Sequence, residues 1–329
     1  MERFIYVTDC EGPVTKNDNA YEVADHFIKN GGNLFTLLSA FDDYLGLFGG
    51  IKNYRYGSTL KYLFPFLKAA GIKDAHLREF SRNTLLVTPQ VKETLAKIRQ
   101  KMDVYMISTS YEHYIAEVTE YLKLEKDKVF STKMSLDSYV MDRREKEIIE
   151  TYKEKILELS PIKWDEQGNL MGDSFETVRI LKEFFFDVIP TLPIFPFMES
   201  IVPVGGVEKK RVLDEIIRSL DIPYKNVVYV GDSITDSEPF EYLREKGGIT
   251  LSFNGNRYAI DRAEYVVISE DARILSEIVE AYCSLGKEGL KNLKTKKGVI
   301  FTDEHGPDIV LLSEKMRRAL RGEKIGALG

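Results

Sequence analysis

The chain has 329 residues, of which 43% are hydrophobic and 30% charged, and carries a net charge of −6 at pH 7. That length exceeds one ordinary core and suits two or three domains of a globular, not disordered, protein. The negative balance argues against a general polyanion binder, and the two cysteines, Cys10 and Cys283, stand in unrelated contexts, which excludes a disulfide framework or a cysteine zinc cage and suits a reducing cytosol.

The first apolar run, residues 4–7, is too short for the apolar core of a signal peptide and reads as a strand buried on both faces. It runs into Thr8-Asp9-Cys10-Glu11-Gly12-Pro13, where Gly12 and Pro13 turn the chain. Residues i and i+2 of an extended segment point the same way, so Asp9 and Glu11 aim at one spot. They repel unless something cationic lies between them; a magnesium ion or a phosphoryl group would serve. Taken alone, such a pair at a loop start is an ordinary surface feature. Cys10 between them reads as packing.

Residues 17–82 read as a long helical region, broken at Gly31-Gly32 and Gly49-Gly50, with a helix over 60–70 that ends at Gly71. Its many aromatics, among them Phe41, Tyr62, Phe64 and Phe66, predict a small helical core in preference to a substrate lining. An amphipathic helix over 89–101 precedes a second buried strand, 103–107, ending in Ser108-Thr109-Ser110 and leading into a helix over 113–122. A hydroxyl at a strand end, followed by free backbone N–H groups, is a place for phosphate oxygens, although Ser and Thr are also common helix caps. Neither His26 nor His113 has an evident partner in the sequence.

A third strand over 128–133 is followed by an insertion spanning 136–203: a charged helix (143–159), a turn (165–168), a helix (175–186) and a proline-aromatic stretch. Asp187, Glu199 and four prolines prevent that stretch from spanning a membrane. The spacing predicts a second accessory unit with its own small core. Lys209 then opens a helix over 211–220, at the end where the helix dipole disfavours a cation, as though compensating a bound anion. The strongest strand, 224–230, runs straight into Gly231-Asp232-Ser233-Ile234-Thr235-Asp236. Two more strands (248–253, 264–268), a helix (274–282), a basic run from Lys287 to Lys297 that reads as a solvated face, a strand (299–302) and a helix (309–321) complete the chain.

In this order, Asp-x-Glu-Gly, a strand-end Ser, Lys, then Gly-Asp-Ser-x-x-Asp, the sequence resembles the haloacid dehalogenase (HAD) superfamily, chiefly its Mg2+-dependent phosphatases. Over the whole chain it is most similar to an archaeal group some of whose members are labelled energy-converting hydrogenase A subunit R. The resemblance implies an α/β fold with a Rossmann-like parallel sheet flanked by helices. The core would comprise 1–16, 85–137 and 201–285, with a helical cap insertion at 17–84, a second cap-like insertion at 138–200 and a C-terminal extension at 286–329. It implies a cytoplasmic phosphomonoesterase acting through an aspartyl-phosphate on a small phosphorylated metabolite. Asp9 would be the nucleophile and Glu11 the general acid/base. Ser108, Thr109 and Lys209 would hold phosphoryl oxygens. Asp9, Glu11 (through its carbonyl), Asp232 and Asp236 would surround Mg2+. No nucleic acid and no membrane insertion are implied; a homodimer or a place in a larger complex is compatible. Two departures stand out: Glu11 where the family has Asp, and Pro13 where it has a small or hydroxylic residue. They motivate the alternatives of a phosphotransferase, or a weakly active or non-catalytic subunit or regulator. A phospho-receiver is disfavoured because there the lysine comes last.

Overall fold

A computed structural model describes residues 2–50, 54, 56–291, 293–302 and 306–328. Seven strands form one sheet: β1 (Ile5–Thr8), β2 (Asp103–Tyr111), β3 (Val129–Thr132), β4 (Val227–Gly231), β5 (Ile249–Phe253), β6 (Tyr265–Ile268) and β7 (Val299–Phe301). Their order is β3-β2-β1-β4-β5-β6-β7, parallel throughout except for β7, which pairs antiparallel with β6. This is the α/β fold with a mostly parallel, helix-flanked sheet that the sequence implies.

The strands are apolar without a break because both faces of the sheet are covered. Tyr6 packs on one face with the helices Val91–Ile98, Glu112–Leu122 and Arg273–Lys291. Ile5 and Val7 pack on the other with Val207–Leu220 and Ser237–Glu245. β1 lies between β2 and β4, and the chain builds outward from it in both directions. A crevice therefore opens beyond the carboxyl ends of β2, β1 and β4, where connections diverge.

Four helices (Asn19–Phe27, Gly31–Phe48, Thr59–Ala69, Asp74–Thr84) follow β1, and Arg143–Leu157, Ser174–Lys182 and Phe195–Ser200 follow β3. The second group was expected to have a core of its own. Instead Phe41, Phe64 and Phe66 share one buried cluster with Phe184, Phe185 and Ile189, and the Tyr62 and Phe185 ring centroids lie 4.5 Å apart. The cause is compositional. The charged helix Arg143–Leu157 buries only a narrow apolar stripe, Ile149 and Ile156, too little to close a core, whereas Thr59–Ala69 is apolar on most sides and needs a further cover. A wider π turn at Glu183–Val188 lets the successive Phe184 and Phe185 both turn inward.

Smaller departures are local. β2 continues through residues 108–110 to Tyr111, with a register shift against β3. His113 has a partner after all, Asp74 of the lobe at 3.2 Å, while His26 packs on Phe27 and Phe80. No helix of the described residues is long and apolar enough to cross a membrane.

Glu22 shows what burial does to a charge in this lobe. Its two carboxylate oxygens accept from Asn17 Nδ2 at 3.0 and 2.7 Å, yet burial pushes its carboxyl from 4.5 up to about 7. The unfolded chain releases this proton near 4.5 and the folded chain near 7, so stability is lost as pH rises through that interval. In thermal melts, Glu22→Gln is expected to match the parent near pH 4 and to melt about 2 °C higher near pH 8.

Candidate active site

Asp9 follows β1 directly, and its backbone N–H donates to the Val230 carbonyl of β4 at 2.8 Å, which holds it at the crevice. Lys209, on the first turn of Val207–Leu220, has no exposed surface. Its Nζ donates to Asp9 Oδ2 at 2.6 Å, Asp236 Oδ1 at 2.8 Å and Thr235 Oγ1 at 3.0 Å. A lysine at a helix N-terminus is unfavourable by itself; two carboxylates reverse the balance here. Burial pulls the ammonium towards its neutral form, but Asp236 and Asp9 outweigh that and leave its pKa raised. Burial drives the Asp9 carboxyl up to about 7 despite the pull of Lys209, with Asp236 and Asp232 adding to the rise.

The loop after β4 is organised by Asp236. Its Oδ2 accepts from the backbone N–H of Asp232 (3.0 Å) and Ser233 (3.2 Å), and its Oδ1 accepts from Tyr229 Oη (3.0 Å) as well as Lys209. Both oxygens are committed, so this carboxylate holds the loop and the lysine in place. Asp232 is 2% exposed and packs against Gly12, whose φ is +95°. A Cβ on Gly12 would lie 2.2 Å from Asp232 Oδ2. Gly12→Ala is expected to cost about 2 kcal/mol or more in chemical denaturation, through positive-φ strain and displacement of Asp232.

A cavity of about 100 Å3 lies over these groups. Its sheet side carries Asp9, Glu11, Ser108, Thr109 and Asp232; its lobe side includes Phe35, Asp42 and Thr59. Ser108 Oγ accepts from the Ser110 N–H at 3.2 Å, which leaves its own proton free to donate. The Thr109 hydroxyl is spent on the Val204 carbonyl at 3.0 Å. Glu11 reaches the lobe: its Oε1 accepts from the Asn19 N–H at 2.8 Å. Burial, reinforced by Asp18, holds its carboxyl well above the usual range.

Every residue singled out in the sequence at 9, 11, 108, 109, 209, 232 and 236 thus sits at or beneath one cavity. Charged groups there that had no sequence signal include Asp18, Asp42, Asp43, Arg317 and Arg321. Both arginines come from the helix Pro307–Arg321 and pair with Asp232. Cys10 is fully buried in the sheet packing, as expected.

The residues fit a divalent cation. Asp9, Asp232 and Asp236 bring carboxylate oxygens within 4.8 Å of one another, all buried; Asp9 and Asp232 would face the cation, while Asp236, already bonded to the loop and Lys209, would add its negative charge. Hard oxygen donors of this kind suit Mg2+. Asp232 Oδ1 accepts no hydrogen bond among the described residues, whereas Oδ2 takes both arginines.

No family model and no curated protein matches the sequence. Among solved structures, the gene product AF1437 from Archaeoglobus fulgidus is similar over 100% of this chain and 99% of its own, at 27% identity and a TM-score of 0.87. A substrate-bound phosphoserine phosphatase complex covers 85% of this chain and 98% of its own, at 15% identity and a TM-score of 0.53. A phospho-aspartyl intermediate analogue of phosphoserine phosphatase covers 85% and 99%, at 15% identity and a TM-score of 0.51. With β1 central in the sheet and the acids gathered at the strand ends, these likenesses show that the chain has the haloacid dehalogenase-like α/β fold.

Proposed function

We propose that the chain is a Mg2+-dependent phosphomonoesterase that forms an aspartyl-phosphate on Asp9 and acts on a small phosphorylated metabolite. The observation that carries this reading is the buried Lys209 bridging Asp9 and Asp236 beside Asp232, beneath a cavity lined on its far side by the helical lobe. That phosphoserine phosphatase, with the same fold, is known as a phospho-aspartyl analogue is in keeping with it.

The chemistry follows from charge. A phosphate monoester dianion repels a carboxylate, and both must be neutralised before oxygen can reach phosphorus. A divalent cation beside Asp9 and Asp232 supplies much of that neutralisation. The chain's own residues do the rest. Lys209 fixes Asp9 Oδ2 and adds one positive charge. The Ser108 hydroxyl and the Thr109 N–H hold phosphoryl oxygens as Asp9 attacks. Glu11, whose carboxyl burial and Asp18 hold well above the usual range, gives a proton to the leaving alkoxide and then takes one from the water that cleaves the acyl phosphate. The longer glutamate is accommodated because Asn19, at the start of the first lobe helix, anchors its carboxyl. The acid is thereby tied to the lobe that excludes water. The size of the cavity suits a small ester, and the free cysteines suit a reducing cytosol.

The test is phosphate release from p-nitrophenyl phosphate and a panel of small phosphate esters, with Mg2+ and with a chelator. Turnover that needs both Mg2+ and Asp9 is expected. Absence of such turnover across the panel, with the protein folded, overturns the reading.

A further inference from the structure

Ser313, Arg317 and Arg321 recur at every fourth position of the helix Pro307–Arg321 and therefore share one face. That face is turned inward. Ser313 and Arg317 are buried, and the Ser313 hydroxyl donates to the Gly255 carbonyl at 2.7 Å. Leu311 and Leu312 are left exposed. This inverts part of the usual amphipathic order, in which polar residues face water. A buried guanidinium is costly unless it is paired and hydrogen-bonded.

Both arginines find the same carboxylate oxygen. Arg317 Nη1 pairs with Asp232 Oδ2 and also donates to the Asp232 carbonyl at 3.1 Å; its Nη2 donates to the Leu328 carbonyl at 3.2 Å. Arg321 Nη1 lies 3.2 Å from the same Oδ2. Its Nε and Nη2 donate to the Lys16 and Asn17 carbonyls at 3.2 and 2.6 Å, on the segment that leads from Asp9 into the lobe. The Asp232 carbonyl takes a further bond from the Asn256 N–H at 2.9 Å. Asp232 is thus gripped through its backbone and through one side-chain oxygen, while Oδ1 accepts no hydrogen bond among the described residues.

We propose that Arg317 and Arg321 are positioning residues: they fix the Asp232 carboxylate by Oδ2 so that Oδ1 is presented, with Asp9, to the divalent cation. This rests on the metal-dependent reading above and adds to it a part for the C-terminal helix. Carboxylates that ligate a metal are oriented by hydrogen-bond partners, whose loss typically weakens metal binding 10- to 100-fold. The rigid fork of arginine suits this task better than the point charge of lysine.

The experiment titrates Mn2+ into the full chain and follows the electron paramagnetic resonance of the free ion, with thermal melts in parallel. Arg317→Gln is expected to weaken Mn2+ binding about 10- to 100-fold, and Arg317→Lys to recover little of that loss. Unchanged Mn2+ affinity with a lowered melting temperature would reduce the arginines to a structural role and overturn the proposal. Tighter Mn2+ binding would overturn it too, by making them competitors of the cation. Should the Arg317 variants not fold, Arg321→Gln takes their place, with a several-fold weakening expected and unchanged affinity counting against the proposal. A wild-type protein that binds no Mn2+ overturns the metal-dependent reading itself; a wild-type that binds, with variants that bind equally, overturns only the arginine assignment.

Discussion

Asp9→Asn is expected to lower Mg2+-dependent phosphate release by about four orders of magnitude or more, the usual size of the loss when a covalent nucleophile is removed. An amide oxygen is a poor nucleophile, and the neighbouring carboxylates have other tasks: in the proposed reading Asp232 Oδ1 faces the cation and Glu11 handles the proton. Asp236 has both oxygens committed to the loop and Lys209, and Asp232 Oδ2 is held by two arginines. The substitution is nearly isosteric, and the Asn oxygen can still accept from Lys209 or from the Cys10 N–H, which now meets Oδ1 at 2.6 Å. The fold is therefore expected to persist, checked by circular dichroism beside the rate measurement. A variant that keeps more than about 1% of the parent rate would remove Asp9 from the role of nucleophile.

Lys209→Met is expected to cost about 3–5 kcal/mol of stability as well as the activity. Methionine fills much of the volume of the lysine stem but brings no charge. Asp9 and Asp236 would then face each other in a buried site without their shared cation, where breaking one partner of an ion pair is most damaging. Asp236 would still have Tyr229 and the loop amides, so Asp9 should bear most of the loss. Chemical denaturation in a chelator measures the cost. A loss under about 1 kcal/mol would mean that the two acids are not held against the lysine in solution.

The parts of the site that the sequence makes legible share one physical origin. In a parallel sheet, residues towards and just past the carboxyl ends of neighbouring strands converge, so Asp9, Ser108 (in the later part of β2) and Asp232 meet because β1, β2 and β4 are adjacent. Lys209 is legible because a cation at a helix start needs a reason. Arg317 and Arg321 gave no such hint. Charged residues four apart on a helix ordinarily face water, and only the packing of Ile309, Val310 and Met316 against Ile260, Val266 and Ile268 decides which face goes inward. The shared core of the two inserted segments was hidden for a related reason. Periodicity shows that a helix has an apolar side, not which distant helix will cover it.

That shared core governs how the protein acquires its structure. Phe41 and Phe66 cannot be covered until the chain has passed through β2 and β3 and reached Phe184 and Phe185. Contacts of such long sequence separation carry a large loop-closure cost and slow folding. The early helices must wait with their aromatic faces open, which exposes them to self-association during refolding. A fragment spanning 17–84 produced alone would keep that face uncovered permanently and is expected to aggregate, whereas the intact chain buries it.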